Sequence, residues 1–313
     1  YGDHRDLHLS IRRQRQMCIR DSHRTRAFLK VQDGCDYKCS FCTIPLARGK
    51  SRSNTISNVI DNVHKIASKN IKEIVLTGIN LGDFGANSND SIQYNFFDLV
   101  KELDKLDLSV RFRISSIEPN LLTDEIIEFL SNSKNFAHHF HIPLQSGSDS
   151  VLKLMRRRYD SKLYKSRIKM INKLMPDACI GVDVIVGFPG EDDDKFLESM
   201  SFIDGLDISY LHVFKYSERD NTNAIALPNI ISSKIRSKRS KLLRLLSSRK
   251  KAGFYNKNLG TIHQVLFESE DKNGFIEGFS SNYVRFRRKW DSSLAGSIVE
   301  SKFTKIDSEG FAI

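Results

Sequence analysis

The sequence predicts an α/β fold, in which a partial (β/α)6 barrel is followed by a small antiparallel β-barrel. From Thr25 onward, β-prone apolar runs alternate six times with amphipathic stretches, which is typical of βα units around a parallel sheet. After Gly260 the pattern changes to short β-prone runs separated by glycine turns, which is typical of a small barrel. Six units rather than eight imply an open barrel, with ligands at the carboxyl ends of its strands.

The predicted elements follow the chain in order. The six strands are predicted at residues 27–32, 73–77, 110–115, 138–143, 181–186 and 210–215. Helical patterns lie between them, for example at residues 56–68 and 121–131. Residues 221–267 contain no acidic residue and many lysines and arginines, so we expect a long basic helix there.

These elements divide the chain into four segments. Residues 1–22 show neither strand alternation nor a capped helix, and we interpret them as a disordered or foreign tail. Residues 23–230 would form the partial barrel and residues 231–258 the basic connecting helix. Residues 259–313 would form the small β-barrel.

The composition favours a polyanionic partner. The 313 residues include 49 Lys and Arg against 38 Asp and Glu, which gives a net charge of +11. This excess favours binding to nucleic acid, with an ordinary basic protein as the alternative. No apolar run reaches the roughly 18 to 20 residues that span a bilayer, and no segment has the order of a signal peptide. We expect a cytoplasmic monomer with no membrane partner.

Three of the five cysteines crowd into one loop after the first predicted strand. Cys35, Cys39 and Cys42 follow Gly34 with the spacing C-x3-C-x2-C. Three thiolates can hold three irons of a [4Fe-4S] cube and leave the fourth iron open to a small ligand. Zinc is the alternative, but a zinc site needs a fourth ligand, and no Cys or His occurs between Cys42 and His64.

The remaining cysteines and a group of histidines are interpreted as ordinary. Cys18 and Cys179 stand apart and are expected to be simple thiols. His138, His139 and His141 could suggest a metal site, but they lie close together on one predicted strand, so we interpret them as buried or surface histidines.

Polar segments end the other predicted strands. The segment LTGIN (76–80) carries a glycine that lets a ligand approach the backbone closely. The segment SSIEP (115–119) offers hydroxyl and carboxylate groups, or alternatively a capped turn. Gln145 ends the fourth strand, and a Gly-Pro-Gly turn at residues 187–190 ends the fifth.

The cysteine spacing, with an aromatic residue before the last cysteine, resembles the signature of the radical S-adenosylmethionine (SAM) superfamily. In that superfamily the open iron binds SAM, and an electron from the cluster cleaves SAM to a 5'-deoxyadenosyl radical. The resemblance implies that Arg157 meets the SAM carboxylate. The full set of cofactor-binding residues that we predict is Tyr37, Phe41, Thr77, Gly78, Asn80, Ser115, Glu118, Gln145, Arg157 and Val186.

Longer segments resemble the methylthiotransferases within this superfamily. They are GCDYKCSFCTIPLARGKSRS (34–53), HIPLQSGS (141–148) and FKYSERDNTNA (214–224). The first and last look most like the branch that modifies C2 of threonylcarbamoyladenosine beside the anticodon of tRNA. The other branches act on isopentenyladenosine in tRNA and on an aspartate of a ribosomal protein, and both stay alternatives. An alternative of another class is a non-catalytic RNA-binding protein that holds zinc.

The resemblance also implies partners, which are tRNA and an electron donor such as a flavodoxin or ferredoxin. The small β-barrel would be a TRAM-like domain that binds RNA, because aromatic Tyr283, Phe286 and Trp290 interleave with basic residues. Strand alternation allows the alternative of a core Phe286 between solvated arginines. The predicted RNA contacts are Arg285, Arg287, Arg288, Lys289, Trp290, Lys238 and Arg239.

The methylthiotransferase family carries a further N-terminal domain, in which three more cysteines hold a second cluster. This sequence has no counterpart of it, so we interpret the chain as a fragment. We expect the purified chain to bind one cluster and to be a candidate for SAM cleavage, but to form no methylthiolated product.

Overall fold

The structure, a computed structural model, describes residues 25–86 and 93–313. The predicted tail of residues 1–22, together with Cys18, lies outside the described residues.

Six parallel strands form two three-stranded sheets. The first sheet has the order β1-β4-β5 and the second the order β6-β7-β8. A parallel bridge from Phe112 to Phe136 lies between the two sheets. Each of the six predicted strands is present, with ends that differ from the prediction by at most two residues. Their bounds are Arg26–Lys30 (β1), Glu73–Thr77 (β4), Arg111–Ile114 (β5), His139–His141 (β6), Cys179–Val186 (β7) and Tyr210–Lys215 (β8).

A two-stranded antiparallel ribbon, Gln32–Asp33 (β2) with Arg52–Ser53 (β3), brackets the cysteine loop. Helices connect the strands, and most begin at a side chain that accepts a hydrogen bond from the first turn, such as Thr55, Thr123 and Asp192. The helices are Ile44–Arg48 (α1), Ile56–Ala67 (α2), Phe96–Asp104 (α3), Asp124–Asn132 (α4), Asp149–Leu154 (α5), Ser161–Leu174 (α6), Asp193–Asp204 (α7) and Ser233–Lys257 (α8).

Alternation along β7 separates the two faces of the parallel sheets. Val182, Val184 and Val186 are buried in the main core together with residues of the flanking helices. Asp183 and Ile185, on the opposite side, are only partly buried. We call this opposite side, which faces away from the helices, the inner face.

The C-terminal region forms a four-stranded antiparallel sheet with the order β11-β10-β9-β12. It has its own core, which includes Val265, Phe267 and Phe286. The strands are Ile262–Phe267 (β9), Phe275–Ser280 (β10), Arg285–Lys289 (β11) and Ile298–Lys302 (β12).

This antiparallel sheet covers the amino ends of the parallel strands. The carboxylate of Glu73, at the start of β4, binds Arg111 at 2.7 Å and Arg113 at 2.9 Å. Both arginines also donate to backbone oxygens of the C-terminal region, for example Arg113 to Ser281 at 3.1 Å. His139 stacks on Tyr283 with ring centroids 4.4 Å apart. A buried ionic and aromatic contact therefore joins the two parts and leaves the carboxyl ends of the strands for ligands.

The predicted basic helix is present as α8, which spans 25 residues. Its apolar residues Leu243 and Leu246 pack into the main core. No helix in residues 25–86 and 93–313 combines the length and the apolar character required to cross a bilayer.

Candidate active site

The cysteine loop runs from β2 to α1 and is fixed at both ends. Gly34 adopts a positive φ of 74°, and a Cβ there would lie 2.1 Å from the backbone oxygen of Lys50, so only glycine fits. The amide of Cys35 donates to the Gly49 carbonyl at 3.1 Å. The β2–β3 ribbon therefore brings the start of the loop against its return path.

The three thiols are partly buried and interact electrostatically with one another. Backbone amides donate to two of the sulfurs, Tyr37 to Cys35 at 3.4 Å and Ile44 to Cys42 at 3.5 Å. Burial raises the pKa of Cys35 to about 11, although the Tyr37 amide opposes the rise. Iron must therefore displace protons when it binds these thiols.

The spacing of the three sulfurs differs from that of ligands around a single ion. Thiolates around one zinc ion, with bonds of about 2.3 Å, lie about 3.8 Å apart. In the part of the chain that the structure describes, the sulfurs of Cys35, Cys39 and Cys42 do not all lie within 4.8 Å of one another. As placed, the three thiols therefore do not surround a single zinc ion.

Ser40 joins the loop to two distant segments. Its amide donates to the Met155 carbonyl at 3.1 Å, and its hydroxyl donates to the Leu154 carbonyl at 2.8 Å. Its own carbonyl accepts from the amide of Ala224 at 2.7 Å. Sequence reasoning missed Ser40, because its partners lie far along the chain.

The two aromatic residues of the loop have different surroundings. Tyr37 is buried, its hydroxyl accepts from Asn120 at 2.8 Å, and the Arg158 guanidinium lies 3.9 Å from its ring centre. Phe41 packs edge-on against Phe188, with centroids 6.2 Å apart, in a small apolar cluster. Both rings therefore pack against side chains outside the loop.

Arg157 lies directly beside the cysteines. It donates to the sulfur of Cys39 at 3.1 Å and to the hydroxyl of Tyr159 at 3.1 Å, and it forms an ion pair with Glu118. Burial would lower the pKa of Arg157, but the charges of Tyr159, Glu118 and Cys39 outweigh it and raise that pKa. Arg157 and Glu118 thus form one partly buried ion pair at the site.

Gln32 is a second residue that the sequence analysis missed. Its side-chain oxygen accepts from the amides of Ile79 and Asn80, both at 2.9 Å, and its nitrogen donates to the Gly34 carbonyl at 2.8 Å. A Cβ at Gly78 would lie 2.9 Å from the same oxygen. Gln32 therefore ties the strand-end segment of residues 78–80 to the cysteine loop.

Asn80 presents a buried acceptor at this junction. The side-chain Nδ2 atom of Asn80 donates to the carboxylate of Asp83 at 2.7 Å, whereas its Oδ1 atom has no hydrogen-bond partner among the described residues. A buried acceptor without a donor carries a free-energy cost unless a ligand supplies one. An ammonium group would satisfy it.

The other predicted cofactor residues lie at the carboxyl ends of neighbouring strands. Thr77 and Ser115 are half-buried at the ends of β4 and β5. Gln145 has a positive φ of 67°, and its backbone bridges to β7 through Asp183 and Ile185. The side chain of Val186 is buried in the core, so only its backbone can face a ligand, and its carbonyl already accepts from Tyr216.

Arg239 is not where the RNA-contact prediction requires it. It is 3% exposed, and it donates to Glu191 at 2.9 Å and to Asp193 at 2.7 Å. Glu191 also accepts from the amide of Gly187, so Arg239 anchors the Gly-Pro-Gly turn to α8. This geometry corrects the prediction, because a guanidinium held inside by two carboxylates is not available to phosphate. Lys238 is exposed on the same helix.

Several residues of the predicted RNA surface on and beside β11 are also buried or already paired with other side chains. Phe286 is 1% exposed, which matches the alternative of a core aromatic, and Tyr283 stacks between His139 and Phe279 instead of forming an open platform. Arg287 pairs with Glu277 and Glu309, and Arg285 with Glu277.

The end of β11 is more open than its start. Arg288 and Lys289 are exposed, and Trp290 is half-buried. These three residues line a shallow depression of about 690 Å³. This depression is the part of the predicted RNA surface where cations and an aromatic ring stay accessible.

The chain is similar to several known proteins. The pattern of the radical SAM superfamily matches residues 29–203. The chain is 41% identical over 288 residues to the threonylcarbamoyladenosine tRNA methylthiotransferase MtaB of Bacillus subtilis (strain 168). This aligned region covers 90% of this chain and 63% of that protein. The chain is also 34% identical over 280 residues to the tRNA-2-methylthio-N(6)-dimethylallyladenosine synthase of Vesicomyosocius okutanii. That aligned region covers 89% of this chain and 63% of that protein. The chain therefore spans less than two thirds of the length of these relatives.

Among solved structures, the radical SAM methyltransferase TsrM from Kitasatospora setae, with cobalamin and a [4Fe-4S] cluster bound, matches with a TM-score of 0.51. The match covers 60% of this chain and 34% of that chain at 15% identity, and it bears on the fold alone.

Proposed function

The chain belongs to the radical SAM superfamily, and from this membership we propose that it supplies the radical SAM chemistry of a methylthiotransferase that acts on tRNA. The proposed substrate is N6-threonylcarbamoyladenosine beside the anticodon, with the methylthio group added at C2. One observation carries the proposal: the thiol of Cys39 lies beside the partly buried pair of Arg157 and Glu118, and Gln32 ties the cysteine loop to the buried acceptor of Asn80. The activities of the two relatives give the substrate class.

Membership in the superfamily implies one [4Fe-4S] cluster and SAM as cofactors. When bound, they supply the one-electron chemistry that starts the reaction. We assign the cluster to Cys35, Cys39 and Cys42. Burial raises the pKa of Cys39, and the Arg157 guanidinium, 3.1 Å from its sulfur, partly opposes that rise.

The residues around the thiols are suited to hold the methionine part of SAM. We assign the Oδ1 atom of Asn80 to the amino group, because this buried oxygen lacks a donor in the described residues. Gln32 fixes the backbone of residues 79 and 80, and Gly78 leaves room for it. Tyr37 and Phe41 exclude water. Roles for Thr77, Ser115, Gln145 and Val186 stay predictions.

We assign RNA binding to the C-terminal region. In this proposal the two parallel sheets are the partial (β/α)6 barrel and β9 to β12 are a TRAM-like domain. Arg288, Lys289 and Trp290 offer phosphate contacts and a stacking surface at the depression beside β11. The modified base must leave its stack to reach the thiols, because C2 of a stacked adenine is out of reach. The proposed partners are tRNA and a flavodoxin or ferredoxin, and the tRNA substrate places the activity of the proposed monomer in the cytoplasm.

The first experiment tests the radical chemistry. After anaerobic reconstitution with iron and sulfide, the chain should form 5'-deoxyadenosine from SAM when dithionite supplies electrons. Cys39→Ser should abolish this product, and Cys179→Ser is the matched control, since Cys179 lies in the C-terminal core. Zinc without iron in the anaerobically purified protein would contradict the assignment and favour the non-catalytic alternative.

The second experiment tests the substrate. Anticodon stem-loops that differ only in the modified adenosine should bind with different affinities, and the threonylcarbamoyl form should bind more tightly than the isopentenyl and unmodified forms. Equal binding, or a preference for the isopentenyl form, would refute this choice of substrate. The remaining alternative is that the substrate is an aspartate of a ribosomal protein. Mass analysis of tRNA and ribosomal protein from a deletion strain distinguishes the two substrates, because only the true substrate loses its methylthio group.

A further inference from the structure

We propose that His141, Asp183 and His212 form a binding site for a divalent transition-metal cation on the inner face of the second parallel sheet. One ligand atom from each side chain lies within 4.8 Å of the other two. The site goes beyond the proposed function, because no step of methylthiolation assigned above uses it.

The strand register brings the three side chains together. Asp183 on β7 pairs with His212 on β8, and His141 on β6 pairs with Gly181. Gly181 precedes Asp183 by two residues and therefore shares its face of the strand. The three ligands thus project to the same side from three adjacent strands.

The distances match adjacent positions around one ion. The Nε2 atom of His141 lies 2.9 Å from Oδ1 of Asp183, and the Nδ1 atom of His212 lies 3.2 Å from the same oxygen. Ligands with metal bonds of about 2.1 Å are separated by about 3.0 Å in octahedral and about 3.4 Å in tetrahedral geometry. Both separations lie close to these values, and the ligand nitrogens of the two imidazoles lie within 4.8 Å of each other, so the three atoms can reach one ion by side-chain movement.

The surroundings hold the ligands in place and leave them accessible. A Cβ at Gly181 would lie 2.3 Å from the hydroxyl of Tyr210, so this glycine keeps room for the tyrosine ring. That ring packs 5.1 Å from the His212 ring and 6.5 Å from the His141 ring. The His212 side chain is 53% exposed and that of Asp183 is 23% exposed, so an ion can enter from solvent.

The ligand set determines the class of ion. Two imidazoles and one carboxylate favour first-row transition metals over magnesium or calcium, which prefer oxygen ligands. Three protein ligands also leave coordination positions open, which is the pattern of metal sites that bind a further ligand. This site is not apparent from the sequence, because the partners of His141 lie on strands 42 and 71 residues further along the chain.

Calorimetry with Co²⁺ under anaerobic conditions tests the site in the cluster-containing chain. The wild type should bind one Co²⁺ that His212→Ala and Asp183→Asn each weaken at least tenfold. His138→Ala is the matched control, because it removes the imidazole of another His–Asp pair, His138 with Asp177 at 3.0 Å, and should keep that Co²⁺. Ligands elsewhere in the chain contribute the same background to every variant.

A second measurement locates the ion. Diethyl pyrocarbonate modifies accessible imidazoles, and peptide mass spectrometry reports each histidine separately. Co²⁺ should protect His212 and leave His138 reactive, and this readout needs no substitution. Identical titrations of the wild type, His212→Ala and Asp183→Asn, or an unprotected His212, would overturn the proposal. In that case Asp183 serves only to accept hydrogen bonds from the two imidazoles, and the methylthiotransferase proposal is unaffected.

Discussion

Replacing Glu73 with glutamine should weaken the contact between the parallel sheets and the antiparallel sheet. Glu73 is completely buried and faces two arginines, Arg111 and Arg113, which also donate to backbone oxygens of the C-terminal region. Glutamine keeps the shape of the side chain but removes the negative charge. Two buried cations then lose the carboxylate that compensates them.

The pKa of Glu73 gives the size of the effect. Burial opposes ionisation, but the charges of Arg113 and Arg111 outweigh it and lower the pKa from 4.5 to about 2. That difference corresponds to about 3 kcal/mol of stability at neutral pH. Because the folded pKa is the lower one, the stabilisation is present above about pH 4.5 and is lost as the pH falls to about 2.

Urea denaturation at two pH values measures this contribution. Trp290 is the single tryptophan of the sequence, so its fluorescence reports on the antiparallel sheet, and far-ultraviolet circular dichroism reports on the helices. The free energy of unfolding should fall by about 3 kcal/mol at pH 7 in Glu73→Gln, and by less at pH 3.5. The matched control is Glu102→Gln, which removes an exposed pair with Lys105 and should cost less than about 1 kcal/mol. A loss no larger than in this control, or a loss that does not shrink in acid, refutes the reasoning.

Three further predictions concern the site and the RNA surface. Gly78→Ala should weaken SAM binding about tenfold in equilibrium dialysis, because the new Cβ would displace the side chain of Gln32. Gly205→Ala is the control and should leave SAM binding unchanged, because a Cβ there meets no atom closer than 3.6 Å. Cys42→Ser should lower the iron content after reconstitution. Cys179→Ser should leave the iron content unchanged, because burial raises the pKa of Cys179 to about 12. Equal iron content in both variants argues against the cluster assignment. Lys289→Ala should weaken tRNA binding, and it should reduce by about 1 the slope of the logarithm of the binding constant against the logarithm of the salt concentration. Lys272→Ala should change both quantities less, because the amine of Lys272 is already paired with Glu268 and Glu277.

The sequence predicted best what depends on local patterns. The six parallel strands and the long basic helix follow from periodicity and charge within short windows, and the structure contains them. The cysteine loop could also be identified from the sequence, because its three cysteines lie within eight residues. Strand ends shifted by one or two residues, since the last hydrogen bonds of a strand depend on neighbours that the sequence does not identify.

Long-range pairing could not be predicted in the same way. Arg239 lies in a stretch without acidic residues, so its partners Glu191 and Asp193, 48 and 46 residues away, were not apparent. Gln32 was interpreted only as the end of a strand, although it contacts amides 47 and 48 residues away. Such contacts arise from the packing of elements that are distant along the chain, and a pattern within one element does not contain them.

The contacts of Arg111 and Arg113 with the C-terminal region cover the amino ends of the first parallel sheet. Under the proposed function, SAM and tRNA would therefore both reach the cysteines from the carboxyl ends of the strands. A bound tRNA would then obstruct the route of the smaller cofactor. The proposal thus favours a reaction in which SAM binds before tRNA and the products of SAM leave after it.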